Sequence, residues 1–295
     1  LIYKVKSEYS GDTIKEILKK EYSMSTRFFK NIKNNGYILL NNMETKLYKT
    51  AWEDDIIMVE MGEEEIDAVP NPIPINVVYE DHDILLINKE PGIVVHPTRG
   101  HINNTLANAI AYYWSSSGIS CKIRFANRLD MDTSGLILIG KNKFAQQNIQ
   151  EQMIANKVKK IYWAFVEGIL KVKEGTINAP IGRVQEGDIM RRVLEEGRNS
   201  ITHYKVIGEY HNASMVEIQL ETGRTHQIRV HMEHIGHPLI GDTLYNNASS
   251  LIDRQALHSR ALGFKLPRSG TYMEFTADLP KDLLTLHSNL AGESL

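Results

Sequence analysis

A single cysteine, Cys121, in a chain of 295 residues excludes an internal disulfide. With no histidine positioned beside it, the thiol reads as a small core hydrophobe. No apolar run approaches the roughly 20 residues needed to span a bilayer. Residues 1–10 lack the basic-then-apolar order of a signal peptide, so neither membrane insertion nor export is expected and the expected location is cytoplasmic. Internal repeats and low-complexity segments are also lacking, which excludes a solenoid or a tail-like chain. Strong net charge is missing too. A formal net charge of −2 argues at first sight against a nucleic-acid partner, because phosphate binding needs clustered Lys and Arg.

The charge that is present is segregated. Residues 53–67 carry Glu53, Asp54, Asp55, Glu60, Glu63, Glu64, Glu65 and Asp67 with no basic residue, so the remainder of the chain is net basic. Residues 122–160 hold Lys122, Arg124, Arg128, Lys141, Lys143, Lys157, Lys159 and Lys160 against Asp130, Asp132 and Glu151. Such a run faces either a polyanion or plain solvent. A 42% hydrophobic composition over this length is enough for one large core and a smaller one.

The acidic run ends in Val69-Pro70-Asn71-Pro72-Ile73-Pro74, where the prolines forbid a continuing helix. Residues 62–76 therefore read as an acidic, Pro-rich linker between a small unit, residues 1–61, and a large one, residues 77–295. In the small unit Asp12 is the expected cap of a helix with Ile14, Ile17 and Leu18 on one face. Ser25 starts a second helix, which Gly36 ends. Strands are expected at residues 37–40 and 56–60, with Asn41-Asn42 as a turn. Beyond residue 77, strands are expected at 84–88, 93–95 and 136–139. Helices are expected at 104–114, after Asn142, and from Thr225 to Gly236. Val216, Ile218 and Leu220 alternate as in a half-buried strand. The class is α+β, built on a large mixed sheet.

The small unit resembles an S4 RNA-binding domain on the strength of Ser25, Arg27, Lys30 and Lys33, then Gly36-Tyr37-Ile38-Leu39-Leu40-Asn41-Asn42, and then Trp52-Glu53-Asp54-Asp55-Ile56-Ile57. Domains of that kind usually carry Gly-Asp before the last strand, where Glu53-Asp54-Asp55 stands here. The resemblance implies that Arg27, Lys30 and Lys33 meet a phosphate backbone from one helix face.

Chemistry concentrates in Asn127-Arg128-Leu129-Asp130-Met131-Asp132-Thr133-Ser134-Gly135. On residue types alone this is either an acid-base site at a strand end or a turn whose side chains bond their own backbone.

The larger set of segments resembles the RluA family of pseudouridine synthases. The matching segments are Val94-Val95-His96-Pro97-Thr98, Asn104-Thr105-Leu106-Ala107-Asn108-Ala109 and the Arg128 to Gly135 stretch above. They continue with Lys160-Ile161-Tyr162-Trp163-Ala164-Phe165-Val166-Glu167-Gly168 and Thr222-Gly223-Arg224-Thr225-His226-Gln227-Ile228-Arg229-Val230-His231. His237-Pro238-Leu239-Ile240-Gly241-Asp242 and Gln255-Ala256-Leu257-His258-Ser259 complete the set. The resemblance implies a mainly antiparallel catalytic sheet and cofactor-free isomerisation of uridine in structured RNA, ribosomal RNA above transfer RNA. It implies Asp130 as the reacting carboxylate, Arg229 as its paired cation and Tyr162 as the ring that stacks on uracil. Arg128 would fill the space of the extruded nucleotide. Asn127, Arg224, His226 and Gln227 are the remaining expected RNA contacts. Asn127 stands where the family usually has histidine, and it cannot titrate near neutrality.

No metal is expected. His226, His231, His234 and His237 fit no compact tetrahedral ligand set. RNA is the expected partner, with no obligatory protein partner and a monomeric chain. Two rival readings are an inactive RNA-binding protein on this fold and a carboxylate hydrolase of nucleosides. Joint presence of Asp130, Tyr162 and Arg229 argues against the first, and the S4-like unit argues against the second.

Overall fold

The computed structural model describes residues 1–62, 64–97 and 102–292. Glu63 of the acidic run and Thr98 of the His96-Pro97-Thr98 segment lie outside the described residues. The N-terminal part contains β1 (Ile2–Lys4), α1 (Ile14–Tyr22), α2 (Thr26–Asn35), β2 (Tyr37–Leu40), β3 (Met43–Thr45) and β4 (Ile56–Glu60). Its four strands pair antiparallel in the order β1-β4-β2-β3. Thr13, not Asp12, caps α1: its hydroxyl accepts the Glu16 N–H at 3.3 Å while the Glu16 carboxylate accepts the Thr13 N–H at 2.9 Å. Asp12 is instead occupied by Lys20 at 2.7 Å. Ser25 caps α2 through the Phe28 N–H, and Asn41 and Asn42 turn β2 into β3 with φ of 51° and 66°, a left-handed geometry that asparagine tolerates.

The remainder runs β5 (Asn76–Glu80), β6 (Ile84–Lys89), α3 (Leu106–Ser116), β7 (Arg124–Phe125), β8 (Ser134–Gly140), α4 (Lys143–Ile154) and β9 (Lys159–Glu167). It continues with β10 (Glu174–Asn178), β11 (Ile181–Gly182), β12 (Arg192–Val193), β13 (Ile201–Glu209), β14 (Ala213–Leu220), α5 (Gln227–His234), β15 (Leu257–Lys265), β16 (Tyr272–Thr276) and α6 (Lys281–Ala291). Ten strands form one sheet along β10-β13-β14-β9-β15-β8-β6-β5, with β7 added at β8 and β16 at β15. Only the β15–β8 pairing is parallel among these described ladders, so the sheet is mixed and mainly antiparallel, as expected.

Alternation along the strands divides the core between two faces. Leu85, Ile87, Ile137, Ile139, Tyr162, Ala164, Val216 and Ile218 point to the face covered by α3 and α5. Ile84, Leu86, Leu136, Leu138, Leu262 and Phe264 point to the opposite face, under α4. Ala213 and Met215 of β14 meet Leu283 and Leu286 of α6, so the start of that strand is covered on both faces, while from Val216 to Leu220 buried apolar residues alternate with Glu217 and Gln219 as expected.

Three further expectations are corrected. Residues 93–95 form no strand, because the Val94 and Val95 carbonyls accept the Leu106 and Ala107 N–H groups at 2.8 and 3.2 Å and so satisfy the start of α3 instead of a ladder. Thr225 does not open α5; His226 is its N-cap, in left-handed geometry at φ 58°. The basic run of residues 122–160 does not form one free cationic face. Arg124 and Lys143 pair with Glu64, Lys141 with Glu80 and Lys159 with Glu274, each carboxylate being brought in from another segment.

The two Glu64 pairs also fix residues 62–76 against the large unit. Asp67 accepts the Ile123 N–H at 3.0 Å, and the Val69 carbonyl accepts from Asn108 at 2.8 Å. Phe144, from α4, is buried inside the N-terminal core beside Phe28 and Tyr22. Among the described residues no helix is long and apolar enough to cross a membrane.

Candidate active site

Asp130 lies in the turn that feeds β8, where its carbonyl accepts the Thr133 N–H at 3.1 Å. Gly135 lets β8 run against β15: its φ is +108°, and a Cβ there would stand 2.3 Å from the Ser259 carbonyl oxygen. Two buried cations hold this turn from behind. Lys89, 1% exposed at the end of β6, donates to the carbonyls of Met131 at 2.7 Å, Glu90 at 2.8 Å and Ile93 at 3.0 Å, using all three ammonium hydrogens. Burial pulls its pKa down to about 8, against the opposing pull of Asp132. Arg254 donates to the Asp132 carbonyl at 2.9 Å and grips Asp282 of α6 through two bonds of 2.6 and 3.0 Å.

Arg229, on the buried face of α5, reaches both carboxylates of the site. Its Nη1 is 2.9 Å from Asp130 Oδ2, while its Nε and Nη2 each lie 2.7 Å from an oxygen of Asp242. Burial opposes the guanidinium charge, but Asp242 and then Asp130 more than offset it and raise the Arg229 pKa. Asp242 is fully buried and follows Gly241, whose φ is +74° and where a Cβ would lie 2.3 Å from the Arg254 carbonyl oxygen. The bidentate grip of Asp242 thus aims one remaining N–H of Arg229 at Asp130.

His226 sits alongside, its Nε2 3.7 Å from Asp130 Oδ2 and its Nδ1 2.9 Å from the Tyr245 hydroxyl. Burial lowers its pKa, with Asp130 opposing that effect and Arg229 adding to it. The Tyr245 ring lies under the Arg229 guanidinium, 5.0 Å from centroid to Cζ. Tyr162, 7% exposed on β9, faces the same cleft; burial pushes its phenol up to about 12. Tyr162 therefore stays protonated at neutral pH.

Arg128, Asp130, Tyr162, Arg224, His226 and Arg229 line one cleft of about 60 Å³, far below the ~300 Å³ at which ordinary ligand pockets begin. Arg128 and Arg224 are exposed at its wall, and among the described residues the Arg224 side chain donates to the Asn199 carbonyl alone, at 3.1 Å.

The other expected contacts are placed differently. Asn127 spends its amide on β8, accepting the Leu138 N–H at 2.8 Å and donating to the Leu136 carbonyl at 3.2 Å. Gln227, 2% exposed, is committed to Thr222, Arg224, Ile201 and Thr202, so although it lines the cleft it has no group left for RNA. Arg27, Lys30 and Lys33 are exposed on α2. That helix docks on α4, through Ser25 to Gln147 at 2.7 Å and Lys143 to Asn31 at 2.6 Å, on the sheet face opposite Tyr162. His231 bonds Thr202 and the Ala179 carbonyl, and His237 bonds the Glu167 carbonyl. No group of three or more His, Cys, Asp or Glu side chains among the described residues could hold a metal ion.

Asp242 and Arg254 stand within or beside segments already singled out, yet nothing in their spacing revealed their partners. Lys89 carried only the weak signal of a cation ending an apolar strand, and Tyr245 carried none.

Comparison with known proteins gives a consistent result. The family model for RNA pseudouridylate synthase matches residues 83–234. The uncharacterized RNA pseudouridine synthase YlyB of Bacillus subtilis (strain 168) is 40% identical over 260 residues, covering 86% of this chain and 86% of the relative. A ribosomal large subunit pseudouridine synthase D of Zymomonas mobilis is 38% identical over 236 residues, covering 75% of this chain and 74% of the relative. Among solved structures, human RNA pseudouridylate synthase domain containing 1 aligns with a TM-score of 0.60 at 27% identity over 71% of this chain and 85% of that one.

Proposed function

The chain belongs to the RNA pseudouridylate synthase family and is an isomerase acting on RNA, and on that basis we propose that Asp130, Arg229 and Tyr162 carry the conversion of uridine to pseudouridine. The reaction breaks the N1–C1′ bond, joins C1′ to C5, releases the C5 proton and leaves N1 protonated, so it needs no redox partner. Asp130 serves C1′ or the base as nucleophile, or a cation-like ribose as counter-charge, and each route requires an ionised carboxylate. The observation that carries this reading is the 2.9 Å contact from Arg229 to Asp130, with Arg229 itself locked by Asp242.

Tyr162 offers a flat ring to the detached uracil and, as a neutral phenol, a hydroxyl that exchanges hydrogen bonds with its edge. The reacting atoms of a stacked base are out of reach, so uridine enters by extrusion from its stack while Arg128 moves to the space it leaves. Ribosomal RNA is the favoured target, supported by the relatives whose names specify the large ribosomal subunit. Residues 1–61 add RNA affinity, and the chain acts alone and without a cofactor. Mapping pseudouridine across cellular RNA with and without the protein tests the assignment: one or a few sites should disappear, and an unchanged map refutes it.

A further inference from the structure

A cavity of about 540 Å³ opens beside the catalytic cleft, lined among others by Met190, Arg191, Arg192, His234, Tyr245 and Asn247. Its size falls within the ~300–1,000 Å³ of ligand pockets, unlike the cleft itself. We propose that this cavity is a second RNA subsite, which takes the nucleotide next to the target uridine and sets its phosphate against Arg191 and Arg192. The inference rests on the function proposed above and extends it to a neighbouring residue of the same strand.

Position is the first argument. Tyr245 is shared between the cavity and the site: its hydroxyl accepts the Arg191 N–H at 2.7 Å and bonds His226 Nδ1 at 2.9 Å, and His226 Nε2 lies 3.7 Å from Asp130 Oδ2. Two side chains therefore separate the cavity from the reacting carboxylate, a step suited to adjacent nucleotides.

Charge is the second. Among the described residues none of Arg183, Arg191 and Arg192 forms an ion pair. Arg191 turns one nitrogen onto the carbonyls of Asp188, Ile189 and Met190, which fixes the segment leading into β12, and Arg192 is exposed with only the Met190 sulfur at 3.7 Å. Burial and then the charge of Arg183 lower the Arg191 pKa, with Arg128 adding to them and Tyr245 and then Asp188 opposing. Crowded cations with so little compensation are relieved by a polyanion. The remaining wall suits a base: a thioether and an aromatic ring for its faces, with the Asn247 amide for its edge. Glu233 and His234 stand exposed in the same lining.

The test uses the full chain and an in-vitro transcript of bacterial large-subunit ribosomal RNA. Binding is titrated at several salt concentrations for wild type, Arg192→Ala and Arg192→Lys. With one phosphate fewer neutralised, the slope of log K against log salt should fall by about 0.7–0.9 in Arg192→Ala, while Arg192→Lys keeps the wild-type slope. Identical affinity and slope in Arg192→Ala overturn the subsite. In a second arm the transcript carries 4-thiouridine, and irradiation should attach RNA to peptides containing residues 190–192 or 244–247; labelling confined to other peptides overturns it as well. Release of tritium from C5-labelled uridine is measured in parallel. A wild-type protein that releases none defeats the proposed reaction, whereas the salt slopes and crosslinks still decide whether RNA occupies the cavity.

Discussion

Lys89 donates a 2.7 Å hydrogen bond to the carbonyl of Met131, the residue that follows Asp130. From the other side, Arg254 donates to the carbonyl of Asp132 at 2.9 Å. Two buried cations thus fix consecutive peptide groups of the turn that aims the carboxylate, and they do so without touching it. A displacement of about 1 Å at a reacting group costs on the order of 100-fold in rate, so the clamp belongs to catalysis as much as to stability.

Lys89→Met should lower kcat at least tenfold while leaving KM for RNA within about threefold, because the turn loses its anchor and the RNA-facing surface does not change. A pH profile separates this effect from simple loosening. Charged and titratable groups around Lys89 are Asp132, Arg254, Asp130 and Glu90, and its folded pKa of about 8 lies below the ordinary 10.5. Above pH 8 the ammonium loses a donor, so kcat should fall. Stability should move in the opposite direction: the unfolded chain binds more protons between pH 8 and 10.5, so this group contributes stability that rises with pH across that window. Lys89→Arg, if it seats, should remove the alkaline limb. A wild-type kcat flat from pH 7 to 9.5 refutes the clamp's role.

Asp130→Asn should abolish product formation while RNA binding persists, since the amide keeps the shape and loses the nucleophilic charge. Arg229 retains its bidentate bond to Asp242 in that variant, so the fold should survive. Turnover within about tenfold of wild type would sink the assignment.

Arg229→Lys tests the fork geometry rather than the charge. Three N–H groups of Arg229 serve two carboxylates in fixed directions, which a single ammonium cannot reproduce. Turnover should drop by roughly 100-fold or more, a loss of about 2.7 kcal/mol in transition-state stabilisation, with RNA affinity little altered. Equal losses in kcat and in affinity would instead mark Arg229 as an RNA contact.

What the sequence made legible was whatever local chemistry determines. Ser25 and Asn142 as caps, the Asn41-Asn42 turn and the continuous apolar strand of β8 all depend on neighbours within a few positions, and all are present. Asp130, Tyr162 and Arg229 were named through resemblance, and they meet around one cleft. Long-range pairing was not legible. Residues 93–95 have strand composition, but their carbonyls are taken by α3, and no local pattern encodes that choice. Asn127 and Gln227 were expected to face RNA because they sit inside matched segments, yet their amides complete the backbone bonding of β8, and of β13 and the segment before α5. Glu64 and Arg124 are 60 residues apart, so only the tertiary fold could show that a carboxylate of the acidic run pairs with cations of the basic one.

That last pair changes what removal of the N-terminal part should do. Deleting residues 1–70 would leave Arg124, whose side chain is 7% exposed, without Glu64, and would strip the cover from Phe144. Breaking a buried pair by removing one partner costs about 3–5 kcal/mol. Unfolding of the deleted protein should therefore occur on the order of 10 °C lower than in the full chain, independently of any role in binding. Substitution separates the two effects: Arg27, Lys30 and Lys33 are exposed on α2, and replacing all three by Ala should leave the melting temperature nearly unchanged. If these cations grip RNA, the triple variant should bind more weakly, with a salt slope reduced by about 0.7–0.9 for each phosphate left without its cation, and kcat at saturating RNA should hold. Wild-type affinity and slope in the triple variant would mean that the N-terminal sheet and helices act as a structural cap on α4 and not as an RNA grip.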